Sequence, residues 1–137
     1  MPEYTLFCPS LYTSPRIARD FVVSVLQSQA LHDLADDAAL CTSEVVTNAC
    51  VHAKGAAAVL RPAVGEALAA VRVTVYDGDA QPPVLSEGYD DESGRGMWLV
   101  DTLTEGRWGT ESDAAQPLGG KGVWFELGVA GPCGPGR

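Results

Sequence analysis

This 137-residue chain is poor in positive charge: nine Lys and Arg stand against eighteen Asp and Glu, a formal net charge of -9. Nucleic-acid binding needs cations that displace counterions from phosphates, so this balance argues against a direct nucleic-acid partner. Long apolar runs are missing too; none reaches the roughly 20 residues that a membrane-spanning helix requires. The opening MPEYTLFCPS carries an acid at Glu3 and no basic region ahead of an apolar stretch. Such a start lacks the pattern of a secretory signal, and a cytoplasmic location is expected. Cysteine is sparse: Cys8, Cys41, Cys50 and Cys133 include no C-x-x-C pair that would suggest zinc. Reduced, partly buried thiols are expected instead. Two phosphate-binding signatures are absent as well. There is no G-x-x-x-x-G-K-[ST] loop and no G-x-G-x-x-G in a βαβ setting.

What remains is an ordinary globular composition, 46% hydrophobic and 20% charged. The length suits one domain with a sizeable core. EYTLFCP reads as a short strand closed by Pro9. TSPRIARDFVVSVLQSQAL follows as a helix, with Thr13 or Ser14 as cap and Pro15 in its first turn. Ile17, Phe21 and Val25 predict its buried stripe. HDLADD supplies a turn, and Asp36 and Asp37 favour the start of a second helix running to about Ala53 and ending near Gly55.

AAAVLRPAV predicts a strand ending at Pro62, and ALAAVRVTVYDG a stronger, valine-rich strand ending in the turn pair Asp77-Gly78. Residues 79–93 read as a polar loop. GRGMWLVDTLTE predicts a glycine-led helix, and GRWGTES and KGVWFELGV the last two strands. The reading places one domain at residues 1–129 and a flexible Gly/Pro tail at 130–137. Strands and helices do not alternate regularly. A doubly wound parallel sheet is therefore disfavoured, and an α+β two-layer sandwich fits better, with helices on one face of a mixed, mostly antiparallel sheet.

The second helix carries a polar line. Glu44, Asn48 and His52 stand four residues apart and share one helical stripe, flanked by Val45, Val46, Ala49, Val51 and Ala53. An amide carbonyl suits a hard cation such as Mg²⁺, and a carboxylate one turn earlier can accept a proton. A half-exposed helix edge with a capped His explains the spacing equally well. Asp77 at a strand end can accept a hydrogen bond from an exocyclic amine, yet a turn aspartate is common. Gly94 and Gly96, with Arg95 between them, open a helix whose N-terminus can receive an anion; a tight turn would use the same residues.

Taken together, LCTSEVVTNACVHA, VTVYDG, SGRGMWLVDTL, RWG and GGKGVWFEL resemble the ATPase superfamily of gyrase, heat-shock chaperones, histidine kinases and mismatch-repair proteins. More closely, the set is similar to the actinobacterial-type anti-sigma-factor serine kinases and their ATP-binding relatives. The likeness runs from Tyr4 to about Gly128. It implies the Bergerat ATP-binding fold, with ATP and Mg²⁺ as ligands and residues 79–93 as a lid. By the same resemblance, Asn48 would coordinate Mg²⁺ and Glu44 would act as general base. Asp77 and Gly78 would meet the adenine, Gly94, Arg95, Gly96 and Met97 would form the phosphate-side glycine box, and His52 would support the helix end.

The implied function is a protein serine kinase working by partner switching. It would phosphorylate an anti-anti-sigma protein, sequester an alternative sigma factor, and dimerise as many relatives do. A non-catalytic, nucleotide-responsive or degenerate binding module is the alternative. Two departures bear on that choice. The superfamily's D-x-G-x-G is reduced to DGDAQP, and Gly122 stands where the resemblance expects a threonine that supports the adenine aspartate.

Overall fold

A computed structural model describes residues 4–49, 58–64, 70–77, 92–112 and 121–128; for 58–64, 77 and 92–95 it describes the backbone alone. The elements follow in the order β1 (Leu6–Cys8), α1 (Ser14–Ser28), a single 3₁₀ turn (His32–Leu34), α2 (Ala35–Thr47), β2 (Ala58–Val64), β3 (Val71–Asp77), α3 (Glu92–Thr104), β4 (Trp108–Ser112) and β5 (Lys121–Leu127). The five strands form one sheet in the order β1-β2-β3-β5-β4. All four described pairings are antiparallel, so the expected mixture of strand directions does not occur among them.

Alternation along the strands sorts the sheet into two faces. Val71, Val73 and Val75 of β3 lie directly opposite Leu127, Phe125 and Val123 of β5. All six are buried with Val22 and Leu26 of α1, Val45 and Val46 of α2, and Met97 and Val100 of α3. The helices thus cover one face, as the α+β sandwich reading expects. None of the helices among the described residues is long and apolar enough to cross a membrane.

The opposite face is an aromatic and charged network. Gly109 and Gly122 present bare backbone, and the rings of Trp124 and Tyr76 lie against them. The Arg72 guanidinium sits 4.1 Å from the centre of the Trp124 ring. It also donates to Glu126 Oε2 at 2.9 Å and to Glu111 Oε1 at 3.2 Å. These residues come from three neighbouring strands, so the network pins the register of β3, β5 and β4.

Helix α1 departs from its expected phase. Its buried residues are Ser14, Pro15, Ala18, Val22, Val25 and Leu26, while Ile17 is 55% exposed and Phe21 is partly buried. The buried stripe is thus centred on Ala18, Val22 and Val25, one residue round from Ile17, on a helix that packs chiefly against α2. The expected side-chain cap is also replaced. Thr13 occupies the cap position without a side-chain bond, and the Ser14 hydroxyl donates to the Pro9 carbonyl at 2.6 Å. Pro15 stands in the first turn, as expected.

At its far end α1 closes with Ala30 in the left-handed region, at φ 59°, while the Leu31 N–H reaches the Leu26 carbonyl at 2.8 Å. Strand β2 runs through Pro62 to Val64 rather than ending there. Its pairing with β1 stops at Leu60, so Pro62 lies where β2 is an edge among the described strands. A residue without an N–H is tolerated at such a position.

Candidate functional site

The polar line begins on α2, which starts with Asp36 and Asp37 in its first turn, where negative charge opposes the helix dipole. One face of α2 is apolar and buried through Ala38, Cys41, Val45 and Val46. Glu44 lies beside that face and is only half-buried. The Asn48 N–H donates to the Glu44 carbonyl, so the two residues are stacked one turn apart. At Asn48 and Ala49 the helix widens into a π-helical turn, a departure that often accompanies functional positions. His52 and the expected continuation to Ala53 lie outside the described residues.

Helix α3 brings the glycine segment to Glu44. The helix starts at Glu92, so Gly94 and Gly96 occupy its first turn and a half. Gly96 is buried, and a β-carbon there would overlap Glu44 Oε1, with Glu44 Cδ only 3.3 Å away. The acid of one segment therefore lies on the glycine of another. Met97 is fully buried in the core beneath this contact, and Leu99 is half-buried. For Gly94 and Arg95 only the backbone placement on α3 is described.

Asp77 ends β3, and Lys121 of β5 lies directly opposite it. This register corrects one expectation. Gly122 pairs with Tyr76, not with Asp77, and a β-carbon at Gly122 would come 2.9 Å from the Tyr76 ring. Gly122 thus belongs to the sheet face away from the helices, and the residue across from the aspartate is a cation. The loop at 79–93 falls almost wholly outside the described residues, as does Gly78.

Among the described residues no group of three or more His, Cys, Asp or Glu could hold a metal ion. The donor set fits a cation of another kind. Mg²⁺ bound to a nucleotide takes most of its ligands from phosphates and water, and needs one or two hard oxygens from the protein. The Asn48 amide offers an oxygen of that type, with the Glu44 carboxylate one turn earlier on the same helix.

Cys41 faces the core on the same helix and is wholly buried. Burial, then the carboxylates of Asp37 and Glu44, push its thiol up from the ordinary 9.0 to about 12. Burial also raises Cys8. Both are free thiols, which agrees with the reduced state expected; Cys50 and Cys133 lie outside the described residues.

Residues 8–113 match the family model described as histidine kinase-like ATPase domain. The matched stretch contains Glu44, Asn48, Asp77 and Gly94–Met97, and ends before β5. No curated protein matches the chain.

Proposed function

The chain belongs to the histidine kinase-like ATPase domain family, and from that premise we propose that it is an ATP-dependent protein serine kinase of the anti-sigma-factor type. Family membership supports ATP as its ligand and a regulatory role. The observation that carries the finer reading is the seating of Glu44 against Gly96. It joins a proton acceptor to the helix start that would face the phosphates.

In this reading Glu44 accepts the proton of a serine hydroxyl. The serine oxygen forms a bond to the γ-phosphorus, and the bond from that phosphorus to the β–γ bridging oxygen breaks, leaving ADP. Such a transfer depends on positioning and charge neutralisation more than on covalent work by the protein. Asn48 would hold Mg²⁺, which supplies the positive charge that offsets the phosphates. Gly94 and Arg95 would face the phosphates from the start of α3. Asp77 would accept from the adenine amine, with Lys121 as its cross-strand neighbour.

The phosphate acceptor would be a serine on an anti-anti-sigma protein. Phosphorylation would add charge at its interface and release it. The released kinase would then bind an alternative sigma factor, whose basic surface would suit a chain of net charge -9, and it would act as a homodimer. The test is calorimetric titration with ATP, with and without Mg²⁺, followed by transfer of radiolabelled γ-phosphate to candidate antagonists. Magnesium-dependent binding and serine labelling that is lost in Glu44→Ala are expected. Binding without transfer would select a nucleotide-responsive binding module. Absence of binding at millimolar ATP would reject both.

A further inference from the structure

Gly96 poses a local problem. It is the fifth residue of α3, where glycine is a poorer helix former than alanine. Its backbone gives no reason for the choice. The positive-φ glycines among the described residues are Gly106 and Gly128, so Gly96 keeps a conformation open to any residue. The reason lies in its neighbour. A β-carbon at Gly96 would overlap Glu44 Oε1 and lie 3.3 Å from Cδ and 3.5 Å from Cβ of the same side chain. Glu44 is laid along the bare backbone of Gly96 from its root to its carboxylate.

We infer that Gly96 is a positioning residue for Glu44: its missing side chain forms the seat that fixes where the Glu44 carboxylate can stand. This inference rests on the reading of Glu44 as the base of phosphoryl transfer. It changes the expected role of the second glycine. The space left by its absent side chain is filled by the acid rather than opened toward a phosphate. A glutamate has several rotatable bonds, and a base must meet its proton within hydrogen-bond reach. A misplacement of about 1 Å can lower turnover by about a hundredfold. Between two helices packed into one core, the absent side chain leaves the carboxylate its place, and a methyl there would displace it.

The test compares Gly96→Ala, Glu44→Asp and the double variant with the wild type. Three quantities are measured: the Kd for ATP·Mg²⁺, the kcat of γ-phosphate transfer, and the pH titration of the Glu44 carboxyl carbon by NMR. That resonance is assigned by its loss in Glu44→Gln. Gly96→Ala is expected to leave Kd within about twofold, to lower kcat by about ten- to a hundredfold, and to move the Glu44 carboxyl resonance. Asp is shorter by one methylene and withdraws the carboxylate from the new methyl. The double variant should therefore lose less than the product of the two single losses.

An unmoved Glu44 resonance in Gly96→Ala would overturn the inference. So would a rise in Kd with kcat held, because that result assigns Gly96 to the phosphates. If Gly96→Ala does not fold, Glu44→Asp in the same chain must restore folding, or the seat is wrong. A wild type that binds ATP and transfers nothing would sink the kinase reading alone; the carboxyl resonance still decides the role of Gly96.

Discussion

The Tyr76 hydroxyl donates a 2.6 Å hydrogen bond to Glu111 Oε2, and its ring crosses the bare backbone of Gly122 to reach it. β3, β5 and β4 supply one residue each to this arrangement. Tyr76 is 4% exposed, so a group that forced it aside would open a packed site and strand a polar pair.

Replacing Gly122 with threonine follows directly. From the sequence, that change restores a hydroxyl beside the adenine aspartate and tightens ATP binding. In the structure the new β-carbon would stand 2.9 Å from two Tyr76 ring atoms and 3.2 Å from Thr74 Cγ2. Gly122→Thr is expected to destabilise the fold by about 1–3 kcal/mol, the usual cost of overpacking, without improving ATP affinity. Urea denaturation and calorimetric titration measure the two quantities. A tighter Kd in an undisturbed fold would refute the register argument.

Cys41 predicts an alkaline limb in stability. Its folded thiol ionises near 12 rather than near 9.0. Above 9 the unfolded chain gives up this proton while the folded chain keeps it. Stability from this source is complete below 9 and declines as pH rises toward 12, by about 1.4 kcal/mol per pH unit. Cys41→Ala lacks this loss, so the stability gap between wild type and variant should narrow from pH 8.5 to pH 10.5. A constant gap in urea titrations would show that the thiol is not the cause.

At the end of α1, Ala30 holds φ 59° while exposed to solvent. An L-residue pays about 1–2 kcal/mol for the left-handed region, and glycine does not. Ala30→Gly loses part of that gain to the greater freedom of the unfolded chain. A net stabilisation of about 0.5–1 kcal/mol is expected, read as a higher thermal midpoint with ATP binding unchanged. A lower midpoint would contradict the left-handed assignment.

Asn48→Ala separates nucleotide binding from metal dependence. If the Asn48 oxygen meets Mg²⁺, the variant should lose about ten- to a hundredfold in affinity for ATP with magnesium. It should match the wild type when magnesium is chelated. Equal losses under both conditions would assign Asn48 to the nucleotide or to the helix.

Much of this architecture was legible because local signals and tertiary demands agree. The alternation Val71, Val73, Val75 marks a strand with one buried face, and the structure buries all three. The order of elements emerged from turn residues and periodicity in the same way. Ile17 failed because the i, i+4, i+8 spacing was also met by a neighbouring stripe, Ala18, Val22 and Leu26, which the structure buries. Gly122 failed for a different reason. Motif spacing aligns it with an expected threonine, but facing is set by cross-strand register, where a shift of one residue exchanges the two faces. The approach of Glu44 to Gly96 lay between these cases. Each residue stood in a visible motif, while their contact depends on how α2 and α3 pack.

Helix α3 is fastened at one end. Its Asp101 carboxylate accepts from the Trp108 indole at 2.8 Å, and its Asp101 carbonyl accepts from the Gly106 N–H at 2.9 Å. Glu105 and Gly106 turn the chain tightly, both at positive φ, before β4 begins at Trp108. The tail of the helix is hitched to the sheet edge with no slack. The helix is thereby anchored twice over, by Asp101 to Trp108 at its tail and by the buried Met97 and Val100 to the core, so its glycine-bearing head is presented to Glu44 from a fixed strut.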